Sequence, residues 1–358
     1  MKTRNKGTGT IQRQKNGRYK GAIYVTTIDG TRKRISKTCD TRQEVEAFFR
    51  KMTKTDLKTF NPMTVSEYFE HYLQLKEHVY RESTLAGVRL FYNKHVRGSV
   101  IDTTKFYDLT AQLINRYFLG LASHGYSAST LTRWRKNFKS VLEMAVYEGY
   151  LDSNPMNSPQ AIKKLKGKPS RAIQPFSKKE VHTLLLPSNL KKLKLEYQTY
   201  ILLAFLTGAR PQEILALEQN DISPAGVSYT KSLGFKGKLQ DCMKTESSVR
   251  TVPIDAKYYK ILCRNKKMLP EQLFKSSRSE YGYLNIDNIN MIFKKYVASI
   301  LGKPNHHLYD TRHTYATILI VEDRVDVKTV SRLLGHSNVE TTLKYYTHVN
   351  PSNTVLRV

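Results

Sequence analysis

Sulfur and acid are the scarce materials of this 358-residue chain. Its three cysteines, Cys39, Cys242 and Cys263, stand far apart, so neither a disulfide framework nor a thiolate metal site is expected. No apolar run approaches the ~18 residues that span a bilayer, and the start, MKTRNKGTGT, has no apolar stretch of the kind that opens a signal peptide. These absences predict a soluble, cytoplasmic chain with no membrane partner. No fixed-period repeat marks a solenoid. Asp and Glu number 30 against 59 Lys and Arg, a formal +29, and such an excess repels itself until a polyanion neutralises it. Nucleic acid is the obvious polyanion. Residues 1–60 alone hold 16 Lys and Arg against 5 Asp and Glu, so several segments are expected to touch phosphate. The length predicts two or three domains.

Between Thr8 and Lys37, β-prone runs alternate with Asn16-Gly17 and Asp29-Gly30, which predicts a three-stranded meander. Asp40 to Glu44 reads as a capping box opening a helix, with Val45, Phe48, Phe49 and Met52 on its apolar side. A sheet backed by one helix fits residues 1–55. Its exposed side carries Arg13, Lys15, Arg18, Lys20, Arg32, Lys33 and Arg34, suited to a major groove or to plain solvation. Asn61-Pro62 marks a boundary, and Thr64-Val65-Ser66-Glu67 opens four or five helices. Their apolar stripes include Tyr68, Phe69, Tyr72, Leu73 and Leu75, then Leu131, Trp134, Phe138, Val141, Leu142 and Ala145. Arg133 and Lys136 lie off those stripes, where a duplex could meet them. From Asn154-Pro155 to Pro175 periodicity is lost and Lys163, Lys164, Lys166, Lys168 and Arg171 accumulate, which reads as a basic linker. Phe176 to Glu180 restarts a helix, and strands are expected at 226–233 and 248–254.

Four clusters in the C-terminal half are rich in groups that bind phosphate and move protons. They are TGARPQEILAL from Thr207, with Arg210 and Glu213; MKTESSVR from Met243, with Lys244; HHLYDTRHT from His306; and LGHSN from Leu334, followed by YYTHV from Tyr345. An arginine at a helix junction can offer its planar fork to phosphate oxygens. Singly, each cluster has a plain structural reading: an Arg–Glu pair, a solvated turn, a helix cap. His306, His307, His313, His336 and His348 lack the tight ligand pair backed by carboxylates that zinc requires, so no metal is expected.

In this order, TGARPQEILAL, RHTYAT and LLGHSNVETTLKYYTHV resemble the signature boxes of tyrosine recombinases, the family of phage and conjugative-transposon integrases. The resemblance spans the chain. It implies a mainly α multidomain protein: an N-terminal three-stranded sheet plus helix that binds arm-type DNA sites (1–60), a helical core-binding domain (61–156), a basic linker (157–175) and a mixed α+β catalytic domain (176–358). It further implies a site-specific DNA recombinase that integrates and excises a mobile element, as a homo-tetramer on double-stranded DNA with core and arm sites, in a bacterial host. An accessory excision or bending protein is an optional partner, and no metal or nucleotide cofactor is called for.

Carried over by position, the resemblance makes Arg210 and Arg312 a clamp on the scissile phosphate and Lys244 the general acid for the leaving 5′ oxygen. His336 becomes a hydrogen-bonding partner of the phosphate or the nucleophile, with His313 and Glu213 as supports. The nucleophile is a tyrosine that forms a 3′-phosphotyrosyl intermediate; the Tyr-x-His-Val context favours Tyr346 over its neighbour Tyr345. One position departs from the pattern. Where the family usually has His, three residues before the second arginine, stands Tyr309, a phenol that donates hydrogen bonds but is a poor base near neutral pH. His306 or His307 reaches that place only if the loop is shifted. Two other readings stay open on sequence alone: an integrase-like accessory protein that binds DNA without cutting, and a topoisomerase of similar chemistry.

Overall fold

The structure, a computed structural model, describes residues 9–26, 32–54, 63–169, 171, 173–240 and 246–343. The chain is a mainly α multidomain protein with small sheets. Two compact units, Met1–Arg171 and Ala172–Val358, divide it.

In the first unit β1 (Thr10–Arg13), β2 (Tyr19–Thr26) and β3 (Arg32–Cys39) form the expected antiparallel meander. Gly17, at φ 82°, sits in the Asn-Gly turn that closes the first hairpin; the Asp29-Gly30 turn lies outside the described residues. Helix α1 (Arg42–Lys54) is capped as predicted, Thr41 Oγ1 accepting from the Glu44 amide at 3.2 Å while the Glu44 carboxylate takes the amides of Asp40 and Thr41. Its Phe48 packs on Ile23, Val25 and Ile35. A Cβ at Gly21 would come within 2.2 Å of Val45, so the helix can lie this close only over a glycine.

The register divides the predicted basic face. Arg13 pairs with Tyr19, in the same row as the helix-covered Ile23 and Ile35, whereas Lys20, Tyr24, Arg32 and Arg34 occupy the alternate row. Arg13 therefore belongs to the helix side rather than the open side, and it lies over the Tyr19 ring at 5.9 Å.

Helices α2 (Val65–Lys76), α3 (Glu82–Phe91), α4 (Ala111–Ser123) and α5 (Ala128–Tyr147) follow. Thr64 and Glu67 cap α2 reciprocally. The core is aromatic: Phe69 stacks on Tyr92 at 4.7 Å and Phe91 on Trp134 at 5.6 Å. Leu75 departs from the predicted stripe and is exposed, since two residues beyond Leu73 a helix has turned its side chain about 200° away.

Most of the segment read as a linker is a strap bound to these helices. Met156, Ala161 and Leu165 are buried. The Asn115 side chain donates to Gln160 O (2.8 Å) and accepts from the Ile162 amide (2.9 Å), and Lys168 exchanges backbone hydrogen bonds with Tyr126 and Ala128. A Cβ at Gly167 would meet Ala128 N at 2.6 Å. Extended chain held by such contacts leaves no helical periodicity to read.

The second unit contains α6 (Lys178–Leu184), α7 (Pro187–Leu190), α8 (Leu195–Thr207) and α9 (Pro211–Leu215). Strands β4 (Ile222–Ser223), β5 (Gly226–Tyr229), β6 (Ser232–Leu233), β7 (Leu239–Gln240) and β8 (Arg250–Val252) come next. They form one antiparallel sheet, β4-β5-β8, and one small hairpin, β6-β7. Helices α10 (Ala256–Met268), α11 (Ile286–Leu301), α12 (Leu308–Thr317), α13 (Val327–Leu334) and α14 (Val339–Leu343) complete it. Residues 199–205 of α8 are buried without a break, so α8 is the central core helix against which the functional loops are placed.

Candidate active site

Two glycines and one carboxylate set the arginines in place. Helix α8 ends at Gly208, whose φ of 58° suits glycine and where a Cβ would lie 2.7 Å from the Tyr315 ring. The chain then turns through Ala209 to Arg210, the residue before Pro211 at the start of α9. Glu213, buried one turn on, accepts from the Arg210 amide (2.9 Å) and from Arg210 Nη1 (2.7 Å). One carboxylate thus caps the helix and aims the side chain that precedes it. Burial pushes that carboxyl up, but the Arg250 and Arg210 guanidinium groups outweigh burial and hold it below the usual range.

Arg312 lies in the second turn of α12, only 2% exposed. It donates to Gly208 O (2.9 Å) and Leu334 O (2.8 Å). The end of α13 is where three arginines meet. Leu333 O accepts from Arg250 Nε at 2.6 Å, Leu334 O from Arg312 Nη2, and Gly335 O from Arg210 Nη2 at 3.1 Å. The last carbonyls of a helix have no partner within it and carry the negative end of its dipole; here guanidinium groups satisfy them. Gly335, at φ 68°, closes the helix, with His336 N donating to Ser331 O at 3.0 Å.

His336 follows immediately, its Nδ1 2.8 Å from the hydroxyl of the fully buried Thr342. Burial, then Arg312, Arg210 and Arg250, push its pKa down to about 4, so the imidazole is neutral near pH 7. Between pH 6.5 and 4 the folded chain binds fewer protons at this ring than the unfolded chain, and stability falls as pH drops through that window. His336→Asn removes this titration. The gap in melting temperature between wild type and variant should therefore narrow as the pH is lowered from 7 toward 4.5; parallel melting curves across that range would count against it.

Tyr309, 53% exposed, stands three residues before Arg312 on the same helix, a spacing that places both on one face. Neither neighbouring histidine takes its position. His306 is buried, stacked on Phe176 at 4.0 Å with Nδ1 3.3 Å from the Asp310 carboxylate. His307 caps α12 with its Nδ1 3.4 Å from the Asn290 amide. The loop is not shifted, and the departure at Tyr309 stands. His313 is half-buried in α12. Lys244, Tyr345, Tyr346 and His348 lie outside the described residues.

Among the described DNA-contact candidates, Lys20, Arg32 and Arg34 share the open row of the N-terminal sheet, with Arg32 over the exposed Tyr24 ring at 5.4 Å. Lys15 is exposed in the hairpin turn, and Arg18 pairs with Asp40 at 2.8 Å. Arg133 and Lys136 are exposed one turn apart on α5, and Lys164 and Lys166 are exposed on the strap. The sequence reading missed Arg250 and Thr342. Arg250 stood within the quoted MKTESSVR string, but only the lysine drew notice.

Residues 174–353 match the Phage integrase family. The tyrosine recombinase XerC-like protein of Caldanaerobacter subterraneus subsp. tengcongensis is 30% identical over 291 residues, 73% of this chain and 72% of that protein. The ICEBs1 integrase of Bacillus subtilis is 25% identical over 370 residues, 96% of each. Among solved structures, the Tn1549 transposon integrase in complex with transposon right end DNA superimposes with a TM-score of 0.68 at 17% identity, covering 80% of this chain and 96% of that one.

Proposed function

This chain belongs to the phage integrase family and is a site-specific recombinase that cleaves and rejoins DNA; we propose that it does so with Arg210 and Arg312 on the scissile phosphate and Tyr346 as nucleophile. The observation that carries this assignment is the convergence of Arg210, Arg312 and neutral His336 on one helix end. Guanidinium groups held there stabilise the charge that builds on the non-bridging oxygens as the phosphate becomes five-coordinate. The Tyr346 oxygen gives up its proton to solvent and bonds to phosphorus, the bond to the 5′ oxygen breaks, and Lys244 protonates that departing oxygen to a 5′ hydroxyl. A 5′ hydroxyl of a second strand then attacks the 3′-phosphotyrosyl bond and releases the tyrosine, so the bond energy is kept within the DNA. Tyr309 donates a hydrogen bond to the phosphate, and His313 supports α12.

The division of labour along the chain follows the same reading. The open row of the N-terminal sheet reads arm-type sites, the helices of 61–156 with Arg133 and Lys136 hold the core site, and Lys164 and Lys166 of the strap meet its backbone. The working form is a homo-tetramer on paired sites of double-stranded DNA, with an accessory excision or bending protein as an optional partner, acting on a mobile element. The direct repeat that flanks the element in its host supplies the site. A nicked version of that site, from which the cleaved 5′ end diffuses away, should trap the chain as a denaturant-resistant covalent adduct on the 3′ side. Tight binding with no adduct would reject the reading and leave a DNA-binding protein.

A further inference from the structure

Arg250 is buried within the site, and each of its guanidinium nitrogens donates to a protein group. Its side chain is 6% exposed. Nη2 donates to Glu213 Oε2 at 2.8 Å, Nε to Leu333 O at 2.6 Å and Nη1 to Ser248 O at 2.9 Å. The guanidinium also lies over the ring of fully buried Tyr229 at 4.8 Å. Tyr229 in turn is hydrogen-bonded to Thr207 (2.8 Å), at the end of α8 beside the Gly208 carbonyl that holds Arg312. One planar group thus touches the Glu213 carboxylate that aims Arg210 and the α13 end that receives both clamp arginines, and through Tyr229 it reaches the α8 end behind Arg312.

We propose that Arg250 is a positioning residue for strand cleavage, holding Glu213 and the α13 carbonyls in the single arrangement that presents Arg210 and Arg312 to the non-bridging oxygens. It acts through the clamp and touches neither the phosphate nor the leaving group. A lysine cannot replace it, because one ammonium on a flexible stem does not reproduce three directed donors and a flat face. Lys244 is six residues upstream, so a role at the leaving-group end is the competing assignment that a test must separate.

The inference rests on the phosphotyrosyl reading, and the test separates failure of one from failure of the other. Full-length wild type, Arg250→Lys and Arg250→Met are incubated with three nicked sites. One carries the ordinary phosphodiester, one an uncharged methylphosphonate at the scissile position, and one a bridging 5′ sulfur that leaves without a proton. The initial rate of adduct formation is read with a thermal melt of each protein. Loss of a clamp donor's alignment is expected to slow Arg250→Met roughly 10²-fold on the ordinary site. Arg250→Lys should show a smaller loss with the same pattern and, because it keeps a positive charge beside the buried Glu213, a smaller fall in melting temperature than Arg250→Met, so it carries the test if the Met variant folds poorly. Both losses should shrink below about tenfold on the methylphosphonate, where there is less charge to stabilise, and persist on the sulfur substrate. Equal losses on the ordinary and methylphosphonate sites, erasure of the loss by the sulfur leaving group, or no loss at all would overturn the assignment. No adduct from wild type on any site would instead fall on the proposed reaction.

Discussion

Tyr346→Phe should abolish covalent trapping on nicked site DNA, a loss on the order of 10⁴-fold or more, while Tyr345→Phe leaves trapping within a few fold of wild type. Only the phenolic oxygen is removed in each case, so packing and DNA affinity should change little. The size of the effect follows from chemistry: without that oxygen there is no atom to bond to phosphorus, and the clamp can stabilise only a reaction that no longer starts. The contrast between the two variants follows from geometry. Adjacent side chains leave a regular backbone in different directions, about 100° apart in a helix and opposite in a strand, so a phosphate held in one place can face one tyrosine of the pair. Denaturing gels of labelled nicked DNA read both variants directly, and the reverse pattern would assign the nucleophile to Tyr345.

Arg312→Lys is the second large effect, and it should appear in two measurements at once. The guanidinium bridges Gly208 O and Leu334 O from within the core, and a lysine ammonium can serve at most one of those carbonyls at the same depth. A buried carbonyl left without its donor costs roughly 1–3 kcal/mol. For a unit of this size that corresponds to a melting temperature lower by roughly 2–12 °C. Adduct formation should fall by about 10²–10³-fold, the usual cost of one misplaced donor at a developing oxyanion. Arg210→Lys provides the contrast. With its side chain 34% exposed and its aim set from outside by Glu213, it should lose comparable cleavage with a smaller drop in melting temperature. Equal thermal losses in the two variants would contradict the picture of one arginine anchored in the core and the other at its edge.

How much of this was legible in the sequence depended on how local the physics was. The Asn16-Gly17 turn, the Thr41–Glu44 cap, the helix starts near Thr64 and Phe176 and the apolar stripes apart from Leu75 are settled within a few residues, and they were read correctly. The boxes with Arg210 and His336 were legible because each sits at a helix junction with its own turn chemistry, and the box with Arg312 because its residues follow one another in a short string. What escaped notice was long-range. Arg250 meets Glu213 across 37 residues and Leu333 across 83, so nothing near it in sequence announced its partners. The strap of 157–168 read as a basic linker because its anchors, Asn115 of α4 and Tyr126 of the turn before α5, are distant in sequence. Arg13 was placed on the wrong side of its sheet because a strand's faces are assigned only once its register is known.

The three carbonyls at the end of α13 also restrict which changes of chain length this fold can absorb. Each residue added to or removed from a helix rotates everything beyond it by about 100°, so a single insertion directly after Leu333 would leave its carbonyl with Arg250 while turning those of Leu334 and Gly335 away from Arg312 and Arg210. Gly335 tolerates little more, since a Cβ there would stand 3.0 Å from Arg250 Nη1. The turns at Gly237 and Gly282, where an added Cβ meets nothing within 4 Å, carry no such constraint. Drift in loop length therefore has open ground at those outer turns, while the spacing from Leu333 to His336 is frozen by the need to keep three side chains in step.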